Sequence, residues 1–258
     1  MPELYPCHCC GYRTLDQPPG GTMQLCPVCG WEDIPDPRDP VKASWIGWPC
    51  LREAQREFAD HGPSGHVLAE GLRRPLPEES RPDGWMTIDE QAEQSKQNVL
   101  DLIQTAFQHV GLHGGTSLLK TVELDSYGID TAKDVYPKLD ISQPHKRWQD
   151  IPHEHLSTIA GIGGMAFLDP KGFRFYLPAY ISWWLADGEG SPSIAAGALI
   201  FNLTDPQLAS ERYNTLTPDQ SAATAAFVKH VAQFGECDFD RRHAHQALDT
   251  SWREHLPA

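Results

Sequence analysis

A chain of 258 residues allows one large domain or two small ones. Its formal charge of −14 at pH 7 repels phosphate backbones and anionic membrane surfaces and suits a basic protein partner; the blander reading is acidity kept for solubility. No apolar run reaches the length of a bilayer span, and the opening MPELYPCHCC lacks the basic start and apolar stretch of a signal peptide, so a cytoplasmic location is expected.

Five of the seven cysteines fall between Tyr5 and Asp33. Cys7 and Cys10 make one Cys-x-x-Cys pair, and Cys26 and Cys29 make a second after fifteen intervening residues. Two such knuckles at this separation match the four-cysteine zinc pattern. A two-residue spacer gives each turn the bite needed to supply two ligands to a tetrahedral ion. Gly11 and Gly30 follow the second cysteine of each pair, where a turn wrapping backbone around a metal calls for positive φ. The competing reading is a redox dithiol or a disulfide, and it explains one pair better than two matched ones. Four thiolates leave no coordination position for water or substrate, so the expected Zn²⁺ is structural. Cys9 sits between paired ligands and reads as a spare thiol, with an alternative ligand as the other reading. Bound thiolates against one dication make the charge more negative still.

The segment resembles the cysteine-rich CPCC family of small bacterial domains. The likeness is carried by Tyr5 to Tyr12, Thr14-Leu15, Pro19-Gly20-Gly21, Cys26 to Cys29 and Trp31-Glu32-Asp33. His8 departs from it, standing where the family has proline. The resemblance implies a metal-binding zinc ribbon and brings no established biochemical activity.

Pro35, Pro37 and Pro40 read as an extended connection, and Trp45 and Trp48 lead into a short helix with Leu51, Ala54 and Phe58 on one face. Gly62-Pro63 ends it, and a similar closing helix in the CPCC family extends the resemblance to about Gly62. Cys50 reads as a packing residue of that helix. Residues 63–86, with Pro63, Pro75, Pro77 and Pro82, read as a linker.

A second domain is expected over 87–258. Thr87 to Glu90 is a capping box, followed by the stripe Val99, Leu102, Ile103, Ala106, Phe107 and Val110 and a stop at Gly111. A Tyr127 to Leu139 segment is mixed, and Pro152 is expected to start a short helix through Leu156. Ala166 to Leu168 and Phe173 to Leu177 flank Asp169-Pro170-Lys171-Gly172, which reads as a β-hairpin with a proline-initiated turn. Pro178 should end the second strand, with a helix from Ala179 to Ala186 packed on it. Ile194 to Leu203 leans helical. Thr217-Pro218-Asp219-Gln220 is another helix start, and Asp240 is expected to cap a last helix carrying Ala244, Leu248 and Trp252.

This half resembles a bacterial family without a characterised function. Trp148 to Pro152, Phe167 to Ala179, Leu216 to Gln220 and Phe239-Asp240 carry that likeness, and it transfers no catalytic or binding residue.

Other chemistry in the sequence is thin. His153-x-His155 and His243-x-His245 have helical surroundings, where that spacing turns the rings away from each other. Gly161 to Gly164 lacks the Lys-Ser/Thr of a P-loop, and there is no nucleophile elbow. Cys237 near His243 and His245 is a weak Cys–His candidate against an incidental thiol. Asp169 and Arg174 read as a turn acceptor and a cross-hairpin partner, with a binding role for Arg174 as the sharper alternative.

The fold expected is α+β, a small N-terminal zinc ribbon (1–62) joined to a helix-rich α+β domain with a β-hairpin (87–258). The function expected is a non-enzymatic acidic zinc protein working through protein–protein contact, as a bacterial immunity protein that neutralises a basic toxin. The CPCC resemblance supports this, because such domains resemble components of toxin–immunity loci. Two alternatives remain. A nucleic-acid regulator reading through the zinc ribbon is opposed by charge, because residues 1–62 carry five Lys or Arg against nine Asp or Glu. An enzyme with a site near Arg174 and Tyr176 in the second domain is the other.

Overall fold

The computed structural model describes residues 3–34, 49–62, 71–125, 145–159, 164–189, 191, 193–204 and 211–256. The expectations for Pro35, Pro37, Pro40, Trp45, Trp48, Pro63, Tyr127 to Leu139 and Gly161 to Gly163 lie outside these residues. The chain divides into two compact units, Met1–Gln94 and Ser95–Ala258. It is mostly helical, with one two-stranded hairpin among the described residues.

In the first unit β1 (Tyr5–Pro6) pairs antiparallel with β2 (Arg13–Leu15), Tyr5 opposite Leu15 and Pro6 opposite Arg13. α1 (Leu51–His61) starts at Cys50, whose sulfur accepts the Glu53 backbone N–H at 3.4 Å while the Glu53 carboxylate accepts the Cys50 N–H at 2.9 Å. Leu51 and Ala54 are buried as expected, and Gly62 ends the helix with φ of 67°. Gln55 ties three pieces together. Its amide donates to the His8 carbonyl at 2.8 Å and its oxygen accepts the Ile88 N–H at 2.8 Å, at the start of α2 (Ile88–Phe107). Asp89 on that first turn accepts from Arg52 at 2.6 Å and Arg56 at 2.7 Å.

The segment expected as a linker contributes side chains to this unit. Arg73 pairs with the buried Glu79 on a 3-10 turn (Pro77–Glu79), and the Arg73 N–H donates to the Pro27 carbonyl at 2.9 Å. Arg81 donates to the Cys10 carbonyl at 2.8 Å. The division between the units falls within α2, where the Thr87–Glu90 capping box forms as expected.

The second unit packs α3 (Leu118–Asp125), α4 (His153–Ile159), α5 (Pro170–Trp183), α6 (Ile194–Asn202), α7 (Pro218–Phe234) and α8 (Asp238–Ala247) with the later turns of α2 around one apolar core. Val99, Ile103 and Phe107 of the α2 stripe are buried in it, whereas Leu102 faces out. Trp184 and Phe227 meet edge to face with ring centroids 5.4 Å apart. Two buried indoles donate to carbonyls where helices end, Trp148 to Phe107 at 2.8 Å and Trp252 to Leu203 at 2.9 Å.

The hairpin expected at 166–177 is absent; those residues belong to a turn and to α5. Asp169 is the N-cap, accepting the Gly172 N–H at 2.7 Å and the Thr116 N–H at 2.9 Å, and Pro170 occupies the first helical turn. Pro178 lies inside the helix rather than ending a strand. Arg174 has no strand to cross and donates instead to the Gln220 side chain on α7 at 2.9 Å. The second unit is thus helical among its described residues, not α+β. Other helix expectations hold: the Thr217–Gln220 box starts α7, and Ile194–Asn202 is a helix. Pro152 precedes a 3-10 turn's successor helix, α4, rather than entering it. The last helix begins at Cys237, with Asp240 inside its first turn instead of at the cap.

Candidate metal centre

The two knuckles repeat one backbone design. The Cys7 N–H bonds the Tyr12 carbonyl and the Gly11 N–H bonds the Cys7 carbonyl, both at 2.9 Å. In the second knuckle the Cys26 N–H bonds Trp31 and the Gly30 N–H bonds Cys26, again at 2.9 Å. Gly11 and Gly30 take φ of 78° and 79°, a region costly for any side chain. Gly11 is doubly constrained, because a Cβ there would lie 2.5 Å from the Trp85 ring.

These turns bring the sulfurs of Cys7, Cys10, Cys26 and Cys29 within 4.8 Å of one another, all buried. Across the knuckles, Cys7 lies 3.7 Å from Cys29 and Cys10 lies 3.6 Å from Cys26. A tetrahedral zinc with Zn–S bonds of about 2.3 Å sets its sulfurs about 3.8 Å apart. The residues therefore fit a tetrahedral thiolate-bound ion. Cys9 is buried but stands outside the four-sulfur group.

The crowded thiols influence one another's ionisation. Hydrogen bonding from Cys10, then Cys29 and Cys7, draws the Cys26 thiol far below its ordinary range against the effect of burial, and Thr14 adds to the pull from 3.1 Å. Cys10 is pushed up, first by its bond with Cys26, and Cys29 likewise, first by its bond with Cys10. One thiolate is favoured and further ones are resisted. All four become thiolates together when a cation shares the site.

The surroundings are built to hold the loops. Asp33 is buried and accepts the N–H groups of Gly20 (2.9 Å), Gly21 (3.0 Å) and Thr22 (2.8 Å) and the Thr22 hydroxyl (2.7 Å). Burial works against its charge, but these bonds from Thr22, Gly20 and Gly21 hold its carboxyl below the ordinary range. The Arg81 guanidinium lies over the Tyr12 ring at 4.9 Å and the Trp85 ring at 4.7 Å, which fixes a positive charge beside the Cys10 knuckle. The sequence gives Arg81 and Trp85 no such role, because they lie among prolines that suggest a linker, and it names Thr14 without assigning it a contact.

The remaining candidates disperse. His153 pairs with Asp187 at 2.8 Å, while His155 meets His145 at 3.3 Å, so the two histidines of the His-x-His serve different neighbours. His243 bonds the Phe239 carbonyl at 2.8 Å, and Cys237 is an exposed free thiol. Cys50 is a helix cap remote in role from the four-sulfur group. No helix among the described residues is long and apolar enough to cross a membrane.

The first unit carries a buried four-cysteine group, and the second is helical among its described residues. Residues 95–256, more than half of the chain, match the family of unknown function DUF6714, and the chain belongs to that family. Residues 5–79 match the cysteine-rich CPCC family, whose reach past Gly62 covers the Arg73–Glu79 pair. No curated protein and no solved structure matches the chain.

Proposed function

We propose that the chain is a cytoplasmic, non-enzymatic bacterial protein that holds a structural Zn²⁺ in a zinc ribbon and neutralises a basic toxin by covering it. The four-sulfur geometry supports zinc, because two of the cross-knuckle spacings fall within about 0.2 Å of the tetrahedral value. Filling all four positions with cysteine leaves the ion no Lewis-acid role, so zinc serves the fold. The observation that carries the partner reading is the net charge of −14. An acidic surface steers a cationic protein into contact and rejects nucleic acid.

The test is titration calorimetry of the zinc-loaded chain with the purified product of the neighbouring gene. A one-to-one complex that weakens at least tenfold between low and physiological salt supports the proposal. Absence of binding at low salt, or binding insensitive to salt, contradicts it.

A further inference from the structure

In the second unit α6 and α8 pack against each other and leave an aromatic cluster at the surface. Phe201 is 48% exposed and Phe239 46% exposed, and the His243 ring lies between them, 4.0 Å from Phe239 and 6.2 Å from Phe201. Gly197 faces this cluster across the helix pair. A Cβ there would sit 3.8 Å from Phe239 Cε1 and 3.9 Å from Asp240 Oδ1, so the carboxylate and the ring edge border the same space.

Asp240 is the unusual member. It is 94% buried, yet its carboxylate accepts no hydrogen bond and forms no salt bridge among the described residues. Both neighbouring arginines turn to Asp238 instead, Arg241 at 3.2 Å and Arg242 at 3.1 Å. The Nδ1 of His243 is taken by the Phe239 carbonyl. Burial raises the Asp240 pKa, with His243 opposing the shift. Neither oxygen is sealed from solvent, so the carboxylate opens at the ring edge, where a cation can join it.

We propose that the α6–α8 face seats an arginine side chain of a basic protein partner, its guanidinium stacked on Phe239 and bonded to Asp240. This rests on the proposed toxin-neutralising function, whose partner is cationic. Arginine fits better than lysine, because a planar guanidinium stacks on aromatic faces while its edge forks onto a carboxylate. The overall charge of −14 steers a cationic partner toward the molecule, and Asp240 supplies the carboxylate on this face.

The experiment is an amide NMR titration of the full, zinc-loaded chain with the peptide acetyl-Ala-Arg-Ala-amide, and with its citrulline analogue as the neutral isostere. The expected result is shifts centred on Gly197, Phe201, Phe239 and His243, at least tenfold weaker binding of the citrulline peptide, and at least tenfold loss in Asp240→Asn. Phe239→Ala, at an exposed position, repeats the test should Asp240→Asn fold poorly. No binding, shifts scattered over other acidic surfaces, or affinities unchanged within twofold in both variants overturn the assignment. The peptide reports on the site without the toxin. Specific arginine binding without toxin neutralisation would leave the site standing and remove the immunity function; neutralisation retained in both variants would do the reverse.

Discussion

Each cysteine of the four-sulfur group has a defined task, and Cys9 marks the contrast. Cys26→Ser and Cys29→Ser remove one of four ligands from a buried group. Each should release the metal and unfold the first unit, read as zinc per chain by atomic emission. Cys9→Ser should keep one zinc per chain, and loss of zinc there would reassign the ligand set. Asp33 is the second decisive residue. Asp33→Asn strips charge from a carboxylate that gathers three backbone N–H groups, at an expected cost of about 1–3 kcal/mol. Its folded pKa lies below the unfolded value, so this stabilisation is fully present above about pH 4 and is lost as pH falls through the folded pKa. Denaturant unfolding of wild type and Asp33→Asn should therefore differ at pH 7 and converge under acid. A gap that persists into acid would show that the charge is not what matters. The four-cysteine group was legible in the sequence because its paired spacing gives two turns that can converge. The loop clasp by Asp33 was not, since a carboxylate beside a glycine turn has no signature of its own.

At the level of elements, capping chemistry proved the more reliable signal and side-chain alternation the less. The boxes at Thr87–Glu90 and Thr217–Gln220 form where their residues indicate. Asp169-Pro170-Lys171-Gly172 was read as a hairpin turn, yet Asp before Pro is equally a cap followed by a first helical residue. The aromatic run Phe173 to Leu177 is buried around nearly the whole helix, so it shows no amphipathic period to set against a strand. Pro178 reinforces the strand reading, because proline usually stops a helix, yet here it stands inside one. The same burial makes polar ties between helices valuable. Gln220, 2% exposed, accepts from Arg174 on α5 and donates to the Ala106 carbonyl of α2 at 3.0 Å. Gln220→Ala should lower stability by about 2–3 kcal/mol through the groups left unpaired, measured by denaturant unfolding. A cost below about 0.5 kcal/mol would mean that these bonds are replaced by water.

For the whole molecule, composition carries the proposal for a partner and says little about the fold. A charge of −14 weighs against a basic nucleic-acid footprint without saying how the helices pack. The prolines of 63–86 suggested a linker; Arg73, Glu79, Arg81 and Trp85 instead brace the knuckles, a role visible only once the chain is folded back. The proposed function places zinc in the scaffold and the chemistry at a surface. The most direct measurement is survival of cells that express the neighbouring gene product, with and without this chain. The account predicts that the gene product alone stops growth, that the wild-type chain restores it, and that Cys26→Ser, lacking a folded first unit, restores it poorly. A gene product harmless on its own, or toxicity undiminished by the intact zinc-loaded chain, would contradict it.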